Sequence, residues 1–186
     1  VKFTGFNIHP GEATTRMINA ALVAMEFNNL LPPNATPRTT AGYEGFFHLT
    51  DMSGDVAAAT LEYIIRDHDD AKFEEKKTLM LTAAKVINSK YGEDTCVVEI
   101  AEQYRNMVEK IRPHMFLIDN AFEAIKKVGL EPKAVAIRGG TYGARLSYMG
   151  LPCPNLGTGG YSFHGPYEHI TVEGMDNVVE ILKNIV

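Results

Sequence analysis

Five places in this sequence carry side chains whose types and settings could do chemistry. Residues 151–165 read Leu-Pro-Cys-Pro-Asn-Leu-Gly-Thr-Gly-Gly-Tyr-Ser-Phe-His-Gly, with two prolines, four glycines and His164 in fifteen positions. Glycine lets a backbone approach a ligand closely and proline fixes its direction, so this stretch is an ordered loop that presents one imidazole at one defined point. His164 fits a single metal ligand, although one imidazole does not hold a metal ion; the plainer alternative is a solvated loop histidine. His9 lies where a strand gives way to Pro10-Gly11. It suits a general acid or an oxyanion donor, and equally a hydrogen-bonded turn residue. Arg66 ends the apolar run Tyr63-Ile64-Ile65, where a guanidinium can grip a carboxylate in a bidentate fork or simply pair with Asp67. His68-Asp69-Asp70 has a His-x-Asp spacing, but at a helix start its aspartates serve better as caps than as zinc ligands. Arg138-Gly139-Gly140-Thr141 precedes a helix and suits a peptide carboxylate or a pocket edge. It lacks both the Walker pattern and Gly-x-Gly-x-x-Gly.

The elements that must position these groups follow from periodicity. Residues 1–8 read as a strand stopped by Pro10-Gly11, and residues 12–30 as a helix striped by Met17, Ile18, Ala21, Leu22 and Met25. After the prolines at 32, 33 and 37, residues 44–52 and 60–67 read as strands. In the second, Leu61, Tyr63 and Ile65 alternate with Thr60, Glu62, Ile64 and Arg66, the pattern of a half-buried antiparallel strand. Asp70 is the expected N-cap of a helix that runs to Tyr91 and stops at Gly92, followed by a strand over 95–104. The order strand, helix, strand, strand, helix, strand predicts a ferredoxin-like βαββαβ domain, α+β in class, with one helical layer on an antiparallel sheet.

A boundary falls near 105–112. Beyond it the reading is a helix over 113–128, a short apolar strand over 133–137, a short helix over 142–149, the opening loop, and a final amphipathic helix. Two main helices and a few short strands make a thin core for about 75 residues. A piece of this kind completes a larger α/β sheet.

Composition narrows the function classes. A net charge of −5 argues against a nucleic-acid module. The sequence contains no run of eighteen apolar residues, and so no membrane span. Cys96 and Cys153 are too few for a disulfide framework, which points to a reducing, cytoplasmic setting. The first residues lack the pattern of a signal peptide and an initiator methionine, so an excised or processed piece is expected.

Taken together, several stretches resemble the peptidase T family, the tripeptide aminopeptidases among the two-zinc exopeptidases. They are Asn7-Ile8-His9-Pro10-Gly11, Tyr43-Glu44-Gly45-Phe46-Phe47-His48-Leu49, Tyr63-Ile64-Ile65-Arg66-Asp67 and Asn106-Met107. Arg138-Gly139-Gly140-Thr141, Gly150-Leu151-Pro152-Cys153-Pro154-Asn155-Leu156, Thr158-Gly159-Gly160-Tyr161 and Phe163-His164-Gly165 complete the set. The resemblance implies that residues 1–108 are a lid or dimerisation domain. It implies that residues 109–186 are the C-terminal part of a catalytic domain whose N-terminal half is missing. It assigns a metal-ligand role to His164, a contact with the scissile carbonyl to His9, and substrate-binding roles to Arg66, Arg138 and Asn106. Two zinc ions and a glutamate base belong to a complete site of this kind. With one ligand of that set, this chain alone is expected to be inactive. His68-x-Asp70 does not replace the family's His-x-Asp pair, because it lies in the lid. Tyr142 stands where the family usually has aspartate. The implied partners are a small peptide substrate, the missing half, and a second copy through the lid. The alternatives are a non-catalytic dimerisation or peptide-binding module, and a two-zinc hydrolase of another amide.

Overall fold

A computed structural model describes residues 1–103 and 105–186. The chain divides into two compact units, Val1–Gln103 and Tyr104–Val186.

The first unit is built on a four-stranded antiparallel sheet. Its strands are β1 (Lys2–Thr4), β2 (Phe46–Gly54), β3 (Ala58–Arg66) and β4 (Cys96–Val97), in the spatial order β2-β3-β1-β4. Helices α1 (Ala20–Asn29) and α2 (Asp70–Tyr91) fill the two crossovers, which is the ferredoxin-like arrangement that the element order predicts. Alternation along β3 sends Ala59 and Leu61 inward and leaves Glu62 and Ile64 exposed. The inward side chains meet Val23, Ala24 and Phe27 of α1 and Met80, Ala83, Ala84 and Ile87 of α2 in one core with Phe3. Phe3 and Phe27 pack edge to face, with ring centroids 5.5 Å apart. Tyr63 lies at the margin of this core and donates to Asn28 Oδ1 at 2.9 Å; burial pushes its hydroxyl pKa up to about 12. Glu26 ties the helices together, accepting from Lys90 Nζ and from the Tyr91 hydroxyl, each at 2.7 Å.

Several boundaries differ from the periodic reading. The first helix begins at Ala20 rather than near residue 12, because the Asn19 side chain accepts the Ala21 and Leu22 N–H groups and caps it there. Upstream of the cap, Ile18 pairs with Phe6 as an isolated bridge, so its place in the stripe is strand-like. Asp69, not Asp70, caps α2 by accepting from Lys72 N. The ladder of the fourth strand covers only Cys96 and Val97. Residues 98–103 lie outside it, and Tyr104 of the expected strand lies outside the described residues.

In the second unit a short helix, α3 (Val108–Ile111), and a 3₁₀ turn lead into α4 (Phe116–Lys127). Then come α5 (Tyr142–Tyr148), the two-residue strands β5 (Gly160–Tyr161) and β6 (His169–Ile170), and α6 (Val172–Ile185), which packs on α4. The start of α4 moves past Pro113, whose ring sits in the preceding 3₁₀ turn. The apolar run 133–137 is expected to be a strand, yet it pairs with no ladder among the described residues. Val135 and Ile137 are 65% and 46% exposed. No helix among the described residues is long and apolar enough to cross a membrane.

Candidate functional site

Each unit carries its own set of candidate groups. In the first, His9 begins a 3₁₀ turn at Pro10–Glu12, and its Nδ1 accepts the Gly11 N–H at 3.1 Å. An imidazole nitrogen that accepts carries no proton, so the proton of the neutral ring sits on Nε2, which is then a donor. The turn reading of this residue is thereby observed, while the second nitrogen is carried by an exposed side chain.

Arg66 closes β3, and its side chain donates to the Ile65 carbonyl at 3.1 Å and to Gln103 Oε1 at 3.4 Å. The ion pair considered for it with Asp67 is made by another cation. Lys76 of α2 donates to Asp67 Oδ2 at 2.8 Å, and the two side chains are 18% and 2% exposed. Burial raises the Asp67 pKa. The Lys76 ammonium, the Asp69 N–H and the charge of Lys72 outweigh that and hold the carboxyl below its ordinary value. Gly45 makes room for this group: a Cβ there would lie 2.1 Å from Asp67 Oδ2. The β3–α2 junction that carries Arg66 is therefore pinned by a buried ion pair set against a glycine.

His68 packs against the Tyr43 ring, centroids 5.0 Å apart, and Asp69 is used as the cap of α2. Within this run, Asp69 serves helix initiation. Among the described residues no group of three or more His, Cys, Asp or Glu side chains could hold a metal ion.

In the second unit, Asn106 Oδ1 accepts the Val108 N–H at 3.1 Å just before α3, while its carbonyl accepts the Tyr148 hydroxyl at 3.0 Å. Its side chain thus makes an Asx turn, a local role that the sequence alone does not distinguish from ligand binding. Arg138 is half-buried at the end of the irregular stretch before α5. Thr141 caps α5 by accepting the Ala144 N–H and is itself held by Asn155 Nδ2, both at 3.2 Å. Ser147 Oγ donates to Gly143 O and accepts the Cys153 N–H. A Cβ at Gly143 would lie 2.5 Å from Cys153 O and 2.6 Å from Asn155 Oδ1. The Pro-Cys-Pro-Asn segment is thus stitched onto α5, and the stitching residues Gly143, Ser147 and Asn155 escape a search for reactive side chains. Their signal lies in spacing: a small residue one turn before another, facing a proline-rich loop. Tyr142 opens α5 and is 85% exposed.

The loop from β5 to β6 holds His164 with φ of +64°, a left-handed conformation uncommon for a residue with a Cβ. Its imidazole is exposed. Tyr161 and His169 stack across the stem with centroids 5.2 Å apart and an interplanar angle of 17°. His164 is thus displayed by a shaped turn, as the glycine and proline content of the stretch requires. A single imidazole does not complete a metal site, so a metal role for His164 requires ligands from beyond these residues.

Comparison with known proteins places the first unit in a family and finds relatives along the whole chain. Residues 1–95 match the model of the peptidase dimerisation domain family. Over 182 residues the chain is 51% identical to a Peptidase T of Alkaliphilus oremlandii, covering 98% of this chain and 44% of that protein. It is 50% identical over 186 residues to a Peptidase T of Desulfitobacterium hafniense, covering 100% of this chain and 45% of that protein. The chain thus spans a little under half the length of these relatives. Among solved structures, the aminopeptidase PepT of Bacillus cereus superposes with a TM-score of 0.73 at 20% identity, covering the whole chain and 49% of that one. A tripeptidase of Staphylococcus aureus gives a TM-score of 0.71 at 16% identity and covers 49% of that chain. The last two show a shared fold. By the match over residues 1–95, with whole-chain similarity to Peptidase T behind it, the chain belongs to the peptidase dimerisation domain family.

Proposed function

We propose that this chain is the lid and C-terminal catalytic segment of a cytoplasmic zinc aminopeptidase that releases the N-terminal residue of tripeptides, and that it is inactive by itself. The observation that carries this reading is the similarity along the whole chain, at about 50% identity, to slightly less than half of each Peptidase T. The exposed apolar side chains of the second unit support it, since Val135, Met149 and Leu151 suit burial against a further surface.

In this reading the lid is residues 1–108 and the catalytic segment 109–186. His9 donates through Nε2–H to the scissile carbonyl, where developing charge rewards a fixed donor. Its Nδ1 bond to Gly11 sets the tautomer that makes this available. Arg66 and Arg138 bind and orient the peptide by its carboxylate and carbonyl groups, with Asn106 alongside. His164 supplies one ligand, and zinc bound there supplies Lewis acidity. The dimerisation-domain match supports a homodimer through the first unit.

The test is hydrolysis of a tripeptide with added zinc. The chain alone should give no turnover above buffer, and the same chain joined to the N-terminal half that its relatives possess should turn over many times. Robust turnover by the 186 residues alone overturns the fragment reading. Arg66→Ala in the complete enzyme should weaken tripeptide hydrolysis more than that of other peptide lengths or of N-acyl amino acids. A uniform loss favours the rival two-zinc hydrolase of another amide.

A further inference from the structure

The turn that displays His164 is closed by three hydrogen bonds, one of them accepted by a side chain. The Gly165 N–H donates to Ser162 O at 3.0 Å and the Glu168 N–H to Gly165 O at 3.1 Å. These two bonds make successive turns over 162–165 and 165–168. The third runs between them: the His164 N–H donates to Glu168 Oε2 at 3.0 Å. Ser162 and His164 both have positive φ, +55° and +64°, so the segment holds two non-glycine residues in a region that side chains disfavour. Backbone bonds define the turn, but they leave the amide of His164 for a side chain to satisfy. A carboxylate is the strongest acceptor available for it.

The stem below is fixed separately. Tyr161 stacks on His169, and His169 Nδ1 lies 2.8 Å from Tyr167 O. The tip therefore depends on Glu168 alone among the side chains of the stem and turn that hydrogen-bond to His164. From this geometry we propose that Glu168 is a positioning residue for His164. Its carboxylate holds the residue's own amide and so fixes the left-handed backbone from which the imidazole is displayed. The proposal rests on the reading of His164 as a zinc ligand. Glu168 touches neither metal nor substrate; it acts through the backbone of the residue that does.

Two substitutions separate the bond from mere charge. Glu168→Gln keeps an acceptor oxygen at the same reach, while Glu168→Ala removes it. In the 186-residue chain, amide hydrogen exchange at His164 read by NMR should be slow in the parent and in Glu168→Gln, and about tenfold faster in Glu168→Ala. In the complete peptidase, zinc retention against a chelator should fall about tenfold or more in Glu168→Ala, as is usual when a ligand loses its support. In Glu168→Gln it should fall about threefold, because the uncharged acceptor is weaker. Parent-like values for Glu168→Ala in both measurements overturn the proposal. So does exchange in Glu168→Gln as fast as in Glu168→Ala. His164→Ala keeps the two readings apart. If it leaves zinc retention unchanged, the ligand reading fails and this proposal with it. If it abolishes retention while Glu168→Ala does not, the positioning role alone fails.

Discussion

The two units are of similar size and solve the problem of burial differently. Val1–Gln103 lays both helices on one face of a complete sheet and buries large side chains, among them Phe3, Phe27, Leu61 and Ile87, to 2% exposure or less. In Tyr104–Val186 the buried apolar side chains are mostly small, Ala121, Ala124 and Ala144 with Ile111 and Ile181, while Phe116, Val135, Met149, Leu151 and Leu182 stay exposed. Secondary structure is not what the second unit lacks, since α4 and α6 are well-formed amphipathic helices packed on each other. Its only sheet among the described residues is the two-stranded β5–β6 pair. Good local structure with large exposed apolar side chains is the mark of a surface that belongs against another.

The comparison breaks or holds most visibly on core truncation. Phe27→Ala should destabilise the first unit by about 4 kcal/mol, as expected for a fully enclosed ring, whereas Val135→Ala should cost the isolated chain less than about 0.5 kcal/mol. Urea denaturation followed by circular dichroism measures both. A large effect of Val135→Ala would mean that the second unit closes its own core.

Next in size is the ion pair under Arg66. Asp67→Ala leaves the largely enclosed Lys76 without its partner, and a loss of about 3 kcal/mol is expected. The sign of the acid dependence follows from the lowered carboxyl pKa. Stability from this group is complete above the ordinary carboxylate range near 3.8. It is lost as pH falls from there through the lower folded value. A parent chain whose midpoint between pH 5 and 2 falls no more steeply than that of Asp67→Ala would remove Asp67 from the account.

The smallest expected effect is in the second unit. Thr141→Ala removes the α5 cap and the partner of Asn155, costing about 1 kcal/mol locally. Amide exchange at Ala144 should speed up while exchange in β3 is unchanged. An equal response in β3 would show that the two units do not open independently.

Much of the first unit can be read from the sequence because its signals are local and agree. The β3 alternation, the Gly92 stop and the Pro10-Gly11 turn all point to one topology. Errors arise where a tertiary bond overrides periodicity. Asn19 starts α1 eight residues later than the expected start at residue 12, and a two-residue ladder truncates the fourth strand. In the second unit the run 133–137 has the composition of a strand, but a ladder takes two partners, and composition describes only one. The candidate side chains themselves were legible by type and setting. Their supports were not: Gly45 and Gly143 act by the room they leave for Asp67 and for the Cys153–Asn155 loop, and Glu168 by a bond to a backbone amide, none of which a search for reactive side chains reveals.

The stitching around α5 has a consequence for the residue at position 142. Thr141 before it is bound to Asn155, and Gly143 after it is wedged against the loop, while the side chain of Tyr142 itself extends into solvent in this chain. Position 142 is therefore a substitution-tolerant perch on an intolerant frame. Exchange of the side chain there alters what a neighbouring molecule meets and leaves the Thr141 cap and the Gly143 packing in place. A lineage can vary such a position one mutation at a time, with folding as a bystander.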